Sequence, residues 1–334
     1  MAKYIAKRLL MLIPVLLGVS IVVFVVMHAF TADPAATILG QHATADQIAK
    51  LQQSLGFNDP IPVQYWHFFT KAIQGDLGQS LFTKTSVVKE LLARFPATIE
   101  LALAAIVFAV LLGLTVGIIS AVKKNTVFDY ASMVTALVGV SMPIFWLGMV
   151  LIVIFSLTLH WLPVSSRIDL GSEPATITGF YILDSLLTQN WEALAGAIKH
   201  IILPAVALGS YSTAIIARMT RASMLEVVGQ DYIRTARAKG LLEKSVILSH
   251  SMRNALIPVV TVIGLQFGAL LGGAVLTETI FGWPGIGSYT VQAILNSDYP
   301  VVQGAVLFIA AIFVIVNLVV DVVYAFIDPR IKYS

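Results

Sequence analysis

The sequence predicts an all-α protein that crosses a lipid bilayer six times. Three observations carry that expectation. First, 58% of its 334 residues are apolar and only 12% are Asp, Glu, Lys or Arg, with a mean hydropathy of +0.88. Soluble domains carry about 25% charged residues, so most of this chain has lipid for its solvent. Second, six stretches carrying at most one Asp, Glu, Lys or Arg approach or exceed the ~20 residues that a helix needs to cross ~30 Å of hydrocarbon. Third, basic residues are segregated between the two sets of connecting loops, as orientation in a membrane requires.

The stretches are residues 9–32, 95–122, 130–166, 200–217, 254–277 and 299–320. Lys3, Lys7 and Arg8 precede the first, which reads as an uncleaved anchor: its apolar run is longer than a signal-peptide core and Phe30-Thr31-Ala32 is a poor cleavage site. Lys199 and Arg218 bracket the fourth and are placed to snorkel. Fourteen of the 21 Lys/Arg fall in loops 1–8, 123–129, 218–253 and 328–334; the longer loops 31–94, 167–199 and 279–298 hold the other seven. The first set, with both termini, is therefore expected in the cytoplasm. This mapping accounts for the net charge of +3 and the pI of 9.0 without nucleic acid. The chain divides into an N-terminal span with an external helical loop (1–94) and a five-helix core (95–334).

Within the 31–94 loop, Thr44 and Gln47 form a capping-box signature, Ile48, Leu51 and Leu55 line one helical face, and Gly56 ends it. After Pro60 and Pro62 a second helical stretch runs over 64–73, with Tyr65, Trp66, Phe68 and Phe69. This loop reads as a small cap on the bundle or as a docking surface for an external partner. Small residues recur every fourth position at Ala105, Ala109, Gly113, Gly117 and Ala121, and again at Gly264, Gly268 and Gly272, spacing that lets helices approach closely. Trp161 and Trp283 fall at external span ends, where aromatic belts form.

Enzyme signatures are absent. There is no phosphate-binding G-x-x-x-x-G-K-[ST] loop, no H-E-x-x-H, no G-x-S-x-G and no cysteine, so no catalytic or metal-ligating residues are assigned. Glu100 falls in the first turn of the second span, where the helix dipole favours an acid, and Asp321 lies two turns inside the last. Ser141, Met142 and Pro143 place an irregularity in the third span, since proline removes a backbone donor. With Gln266 and Glu278 they are the candidate residues of a translocation path.

The 218–253 loop holds seven of the basic residues. Within it Asp231, as N-cap, and Gly240, as the residue after the helix, bracket a two-turn helix too short to be stable alone. It needs a partner surface, which the small Ala236 and Ala238 admit.

This segment, Asp231-Tyr232-Ile233-Arg234-Thr235-Ala236-Arg237-Ala238-Lys239-Gly240 followed by Arg253-Asn254-Ala255-Leu256-Ile257-Pro258, resembles the cytoplasmic loop of ABC importer permeases of the dipeptide/oligopeptide/nickel branch. Arg234-Thr235-Ala236 stands where the general pattern has E-A-A, and Pro258 comes later than that pattern places proline. Asp33-Pro34, Gly75-Asp76-Leu77-Gly78, Arg94-Phe95-Pro96-Ala97-Thr98, Ser141-Met142-Pro143-Ile144-Phe145-Trp146, the Thr277–Gly287 segment and Asp328-Pro329-Arg330 extend the resemblance over the whole chain. It is nearest to the B-type subunit. The resemblance implies a type I permease fold in a prokaryotic inner membrane, importing dipeptides or short oligopeptides. It implies a C-type permease partner, two ATPase subunits that bind ATP and Mg, and an external peptide-binding protein. In this chain it implies no cofactor. Asp231, Tyr232, Arg234, Thr235, Ala236, Arg237, Lys239 and Gly240 would form the coupling helix to an ATPase. The rival reading is a stand-alone secondary carrier or channel driven by an ion gradient through Glu100 or Asp321.

Overall fold

The computed structural model describes residues 2–30, 35, 39, 43–56 and 58–327; Asp33-Pro34 and Asp328-Pro329-Arg330 lie outside them, as does the side chain of Asp321. Among the described residues the protein is helical, with one isolated bridge between Gln79 and Ser86. We number the helices α1 (Ala2–Phe30), α2 (Ala45–Leu55), α3 (Ile61–Ile73), α4 (Val87–Val122), α5 (Val127–Ser141), α6 (Ile144–Thr158), α7 (Tyr181–Leu187), α8 (Trp191–Val228), α9 (Asp231–Ala238), α10 (Glu243–Ile280), α11 (Ile286–Leu295) and α12 (Tyr299–Ile327).

Four of these, α4, α8, α10 and α12, are long and apolar enough to cross a membrane, and α5 with α6 make a fifth if the bent pair is one span. The first expected span folds as α1, whose described apolar stretch is the shorter Ile13–His28. Span ends read from charge alone were too conservative. Helix α4 begins at Val87, ahead of Arg94, and α8 runs for 38 residues where 200–217 was expected. A helix does not stop at a charge; the side chain extends toward water while the backbone ladder continues.

The chain forms two compact units, described separately. One comprises residues up to Thr98 together with Pro284–Ile315. Here α2 has the expected capping box: Gln47 N–H donates to Thr44 Oγ1 at 3.4 Å and Thr44 N–H to Gln47 Oε1 at 3.0 Å. Gly56 closes it with φ +75°, a left-handed conformation that costs glycine nothing. Helix α3 turns Tyr65 and Phe68 toward Phe24 of α1, with ring centroids 5.3 and 6.3 Å away, while Trp66 stays exposed. Met27, Val87, Leu91, Ile286, Tyr299 and Val302 form part of the core. Buried Asp298 accepts from Ser80 Oγ at 2.6 Å and Leu81 N–H at 3.1 Å, fixing the loop before α4 to the start of α12.

The other unit comprises Ile99–Trp283 and the residues from Val316. Helix α8 is its axis, packed by α5, α6, α7 and α10. The small-residue stripe of α4 finds its partner here. A Cβ on Gly113 would lie 2.9 Å from Ile216 of α8, one on Gly117 2.6 Å from Thr220, and one on Gly209 of α8 2.6 Å from the Ala105 carbonyl. In the second stripe only part of the expectation holds: Gly268 meets Asn317 of α12, whereas Gly272 has nothing within 4 Å.

Between α5 and α6 the axis bends by 106°. Pro143 lacks an N–H, and its ring drives Met142 out of the helical region to φ −82°, ψ 130°. Two stretches widen to π-helix, Ile152–Thr158 at the end of α6 and Val246–Ser251 near the start of α10. The Thr158 and Ser251 hydroxyls each donate to the carbonyl five residues back, at 2.9 Å, satisfying acceptors that the wider turns expose.

Candidate functional site

Helix α9 lies between the two longest helices of its unit, and its sequence explains its brevity. Helix α8 ends at Gly229, and Gln230 takes the extended conformation of an N-cap. The cap position thus belongs to Gln230; Asp231 is the first helical residue, where an acid faces the positive end of the helix dipole. Arg237 occupies the last turn, and Gly240 follows with φ +77°.

One face of α9 is pinned. Ile233 and Ala236 are buried against Val246 of α10 and Val227 of α8. The Ala236 methyl is therefore spent inside the chain, whereas the sequence expectation had it facing a partner; Ala238 remains exposed. Two clasps add to the seat. Arg237 donates to both oxygens of Glu243, at 3.2 and 2.7 Å, and the carboxylate pushes the guanidinium pKa further up. Asn254 Nδ2 donates to Tyr232 Oη at 2.8 Å. The opposite face, with Asp231, Arg234, Thr235, Lys239 and Gly240, is exposed. The helix is thus short and basic, seated on both of its long neighbours on one side and bare on the other.

The base of α8 is tied in turn to α4 and α5. Arg221, counted from sequence as a loop base, is a residue of α8 and reaches Asp129 of α5, which is fully buried. Asp129 also accepts from the Ser120 hydroxyl and from Asn125 N–H at 3.0 Å. The helix that α9 adjoins is thus joined to α5 and α4 through one buried acid.

Residues 113–333 match the family described as binding-protein-dependent transport system inner membrane component, and residues 1–102 match its N-terminal companion. The chain belongs to this family. It is similar to the dipeptide transport system permease protein DppB of Alkalihalophilus pseudofirmus, 51% identical over the full length of both chains. It is 47% identical to the di/tripeptide permease DppB of Pseudomonas aeruginosa and 43% identical to the glutathione permease GsiC of Escherichia coli, again over both whole chains. Its fold is shared with a chain of the inward-facing MetNI methionine ABC transporter, with a TM-score of 0.53 and 17% identity, covering 71% of this chain and 96% of that one. The protein is a multi-pass inner-membrane permease of the B type.

The residues expected along the permease's translocation path stand at separate places on its helices. Ser141, Met142 and Pro143 form the break between α5 and α6. Gln266 of α10 accepts from Ser212 of α8 at 3.0 Å, a helix-to-helix tie. Glu278 is fully buried near the end of α10. A cavity of about 440 Å³ lies between α4, α5 and α8, and none of these five lines it. Its walls are nearly all apolar, and the hydroxyls of Thr135, Ser210 and Thr213 donate to carbonyls of their own helices.

Glu100 departs from its expected setting. It lies well inside α4 and owes nothing to a helix start. Arg167 donates to its Oε2 from Nη2 at 2.6 Å and from Nε at 3.2 Å, and Ile182 N–H donates to Oε1 at 2.8 Å. The Arg167 guanidinium also lies 3.8 Å from the Tyr181 ring centroid and 5.8 Å from that of Trp283. Trp283, expected in an aromatic belt, is instead buried beside this pair. An acid so fully engaged is a structural anchor, which removes one of the two residues on which the secondary-carrier reading leaned; the other, Asp321, has its side chain outside the described residues. Arg167, Asp129 and Arg221 were missed as site-builders because each pairs with a residue far away in sequence.

Proposed function

We propose that this permease imports dipeptides or short oligopeptides and that α9 is its coupling helix. The observation that carries the reading is α9 itself: seated on α8 and α10 by Ile233, Ala236, Tyr232 and Arg237, and bare on the face bearing Asp231, Arg234, Thr235 and Lys239. The peptide class is supported by relatives named for dipeptide and di/tripeptide transport at 44–51% identity over their full lengths.

In this reading the basic loops and both termini face the cytoplasm, as their excess of Lys and Arg requires. An ATPase subunit receives the exposed face of α9 in a groove; a second ATPase serves a C-type permease, and ATP and Mg belong to those chains. Because α9 is clasped to α10 and α8 is clasped to α5 and α4, displacement of α9 tilts the bundle and alternates access. An external peptide-binding protein delivers substrate and sets most of the selectivity. Ser141, Met142, Pro143, Gln266 and Glu278 act along the path by shaping helices more than by holding peptide.

The deciding experiment is co-expression with the ATPases and the binding protein, reconstitution in proteoliposomes, and a screen for stimulated ATP hydrolysis and uptake. Stimulation by dipeptides supports the reading; stimulation by glutathione alone, or uptake by the permease without ATPases, overturns it.

A further inference from the structure

A groove of about 390 Å³ runs between the C-terminal end of α4 and the N-terminal end of α10. Its walls include Ile119 and Val122 of α4 and Ile247 and Leu248 of α10, and Lys123 and Lys244 line it with their alkyl stems, their ammonium groups lying outside the apolar surface. Ile119, Val122 and Leu248 are exposed, so among the described residues nothing covers the trough. Among the described residues neither ammonium has a carboxylate partner; Lys123 lies 5.7 Å from the centroid of Phe128, and the neighbouring Glu243 is already engaged by Arg237. Lys124 adds a third exposed cation beside the rim.

Position gives this chemistry its meaning. Both helices are membrane-spanning in length and composition, and the groove lies where one ends and the other begins. At that depth hydrocarbon gives way to headgroups. An uncovered apolar trough there is filled by acyl chain, and two uncompensated ammonium groups at its mouth attract an anion on the same molecule. We infer that the groove is a seat for one anionic phospholipid, its chain against Ile119, Val122, Ile247 and Leu248 and its headgroup between Lys123 and Lys244.

The seat adjoins the machinery of α9. Lys244 follows the residue that holds Arg237, and Val246, two positions on, packs against Ile233 and Ala236. A lipid bridging α4 and α10 therefore steadies the base of α9. That consequence rests on α9 being the coupling helix; the binding itself does not.

The test uses the purified permease, alone for binding and in its full assembly for turnover. Lipid retention is read by native mass spectrometry after exchange into nanodiscs of phosphatidylcholine with or without phosphatidylglycerol. Wild type should retain phosphatidylglycerol selectively. K123Q/K244Q should retain it about tenfold or more weakly, since each surface cation contributes measurably to anionic-lipid attraction. Val122→Trp, which fills the trough and keeps both lysines, should weaken retention too, whereas Lys71→Gln should not. In the full assembly, phosphatidylglycerol should raise coupled ATPase activity in wild type and not in K123Q/K244Q. Equal retention by wild type and K123Q/K244Q overturns the site. So does displacement by inorganic phosphate with Val122→Trp without effect, which would mean a diffuse charge and no seated lipid. Retention is read whatever the chain transports, so a failed uptake assay does not bear on it.

Discussion

Arg221 on α8 holds Asp129 on α5 through two hydrogen bonds of 2.7 Å, across 92 residues of sequence. The guanidinium fork matches the carboxylate edge, a geometry that lysine cannot reproduce. With Ser120 on the same carboxylate, three helices are joined at one buried acid. Arg221→Lys should lower the thermal unfolding midpoint in detergent, and Arg221→Met should lower it more, because the second leaves the carboxylate uncompensated. The exchange D129R/R221D should recover part of the loss. Equal midpoints for all variants would show that the clasp is dispensable.

The Glu100–Arg167 pair is buried on both sides, with each side chain only 7% exposed. Arg167→Met should cost about 3–5 kcal/mol, the usual consequence of stranding a buried charge. Glu100→Gln with Arg167→Met should cost less than the sum of the single changes, and a double-mutant cycle of denaturation measures the difference. Glu100→Gln in the assembled transporter should still import substrate. Abolished uptake with intact folding would revive an ion-coupled mechanism.

Glycines in the spans should differ sharply in their tolerance of alanine. Gly209→Ala puts a methyl 2.6 Å from the Ala105 carbonyl and should destabilise by about 1–3 kcal/mol. Gly272→Ala meets nothing within 4 Å and should be neutral or slightly stabilising, since alanine is the better helix former. Paired thermal melts decide this.

Around α9, Gly240→Ala enters open space but must hold φ +77°, at a cost of about 1–2 kcal/mol. Tyr232→Phe loses the bond from Asn254, worth about 0.5–1.5 kcal/mol. Ala236→Arg should do most harm by unseating the helix from Val246. Each should lower the ratio of peptide imported to ATP hydrolysed while membrane insertion is retained. An unchanged ratio in all three would remove α9 from the coupling route.

Asp184 in α7 makes the fold acid-sensitive. Burial raises its pKa, but hydrogen bonds from the Thr178 hydroxyl and from the N–H groups of Thr178, Ile177 and Gly179 outweigh that and hold it below the usual carboxylate range. A carboxylate depressed on folding stabilises fully above its unfolded pKa of about 3.9, and the contribution fades as pH falls through the lower folded value. Unfolding midpoints should therefore drop below about pH 4, and Asp184→Asn should flatten that part of the profile.

Much of this architecture was legible because it is written in local or one-dimensional terms. Apolar runs report how much chain seeks lipid, and the capping box at Thr44 and Gln47 is local geometry between neighbours. Gly240 at positive φ likewise follows from the residue itself. The small stripe of α4 announced a close contact, yet its partner α8 depends on which helix faces it. The break after Ser141 was readable from Pro143, while its 106° angle depends on what the two halves pack against.

By itself, then, the sequence determined the helical membrane class, the basic polarity of the loops, and the existence of a short helix near 231–240 closed by Gly240. Tertiary structure decided that Ala236 faces inward, that Glu100 is held by Arg167, and that Arg221 reaches Asp129. The reason is range. Caps, turns and hydropathy are settled within a few residues, where covalent connection limits the alternatives. Ion pairs and helix faces are settled by which segments meet, and only the folded chain brings those partners within hydrogen-bonding distance.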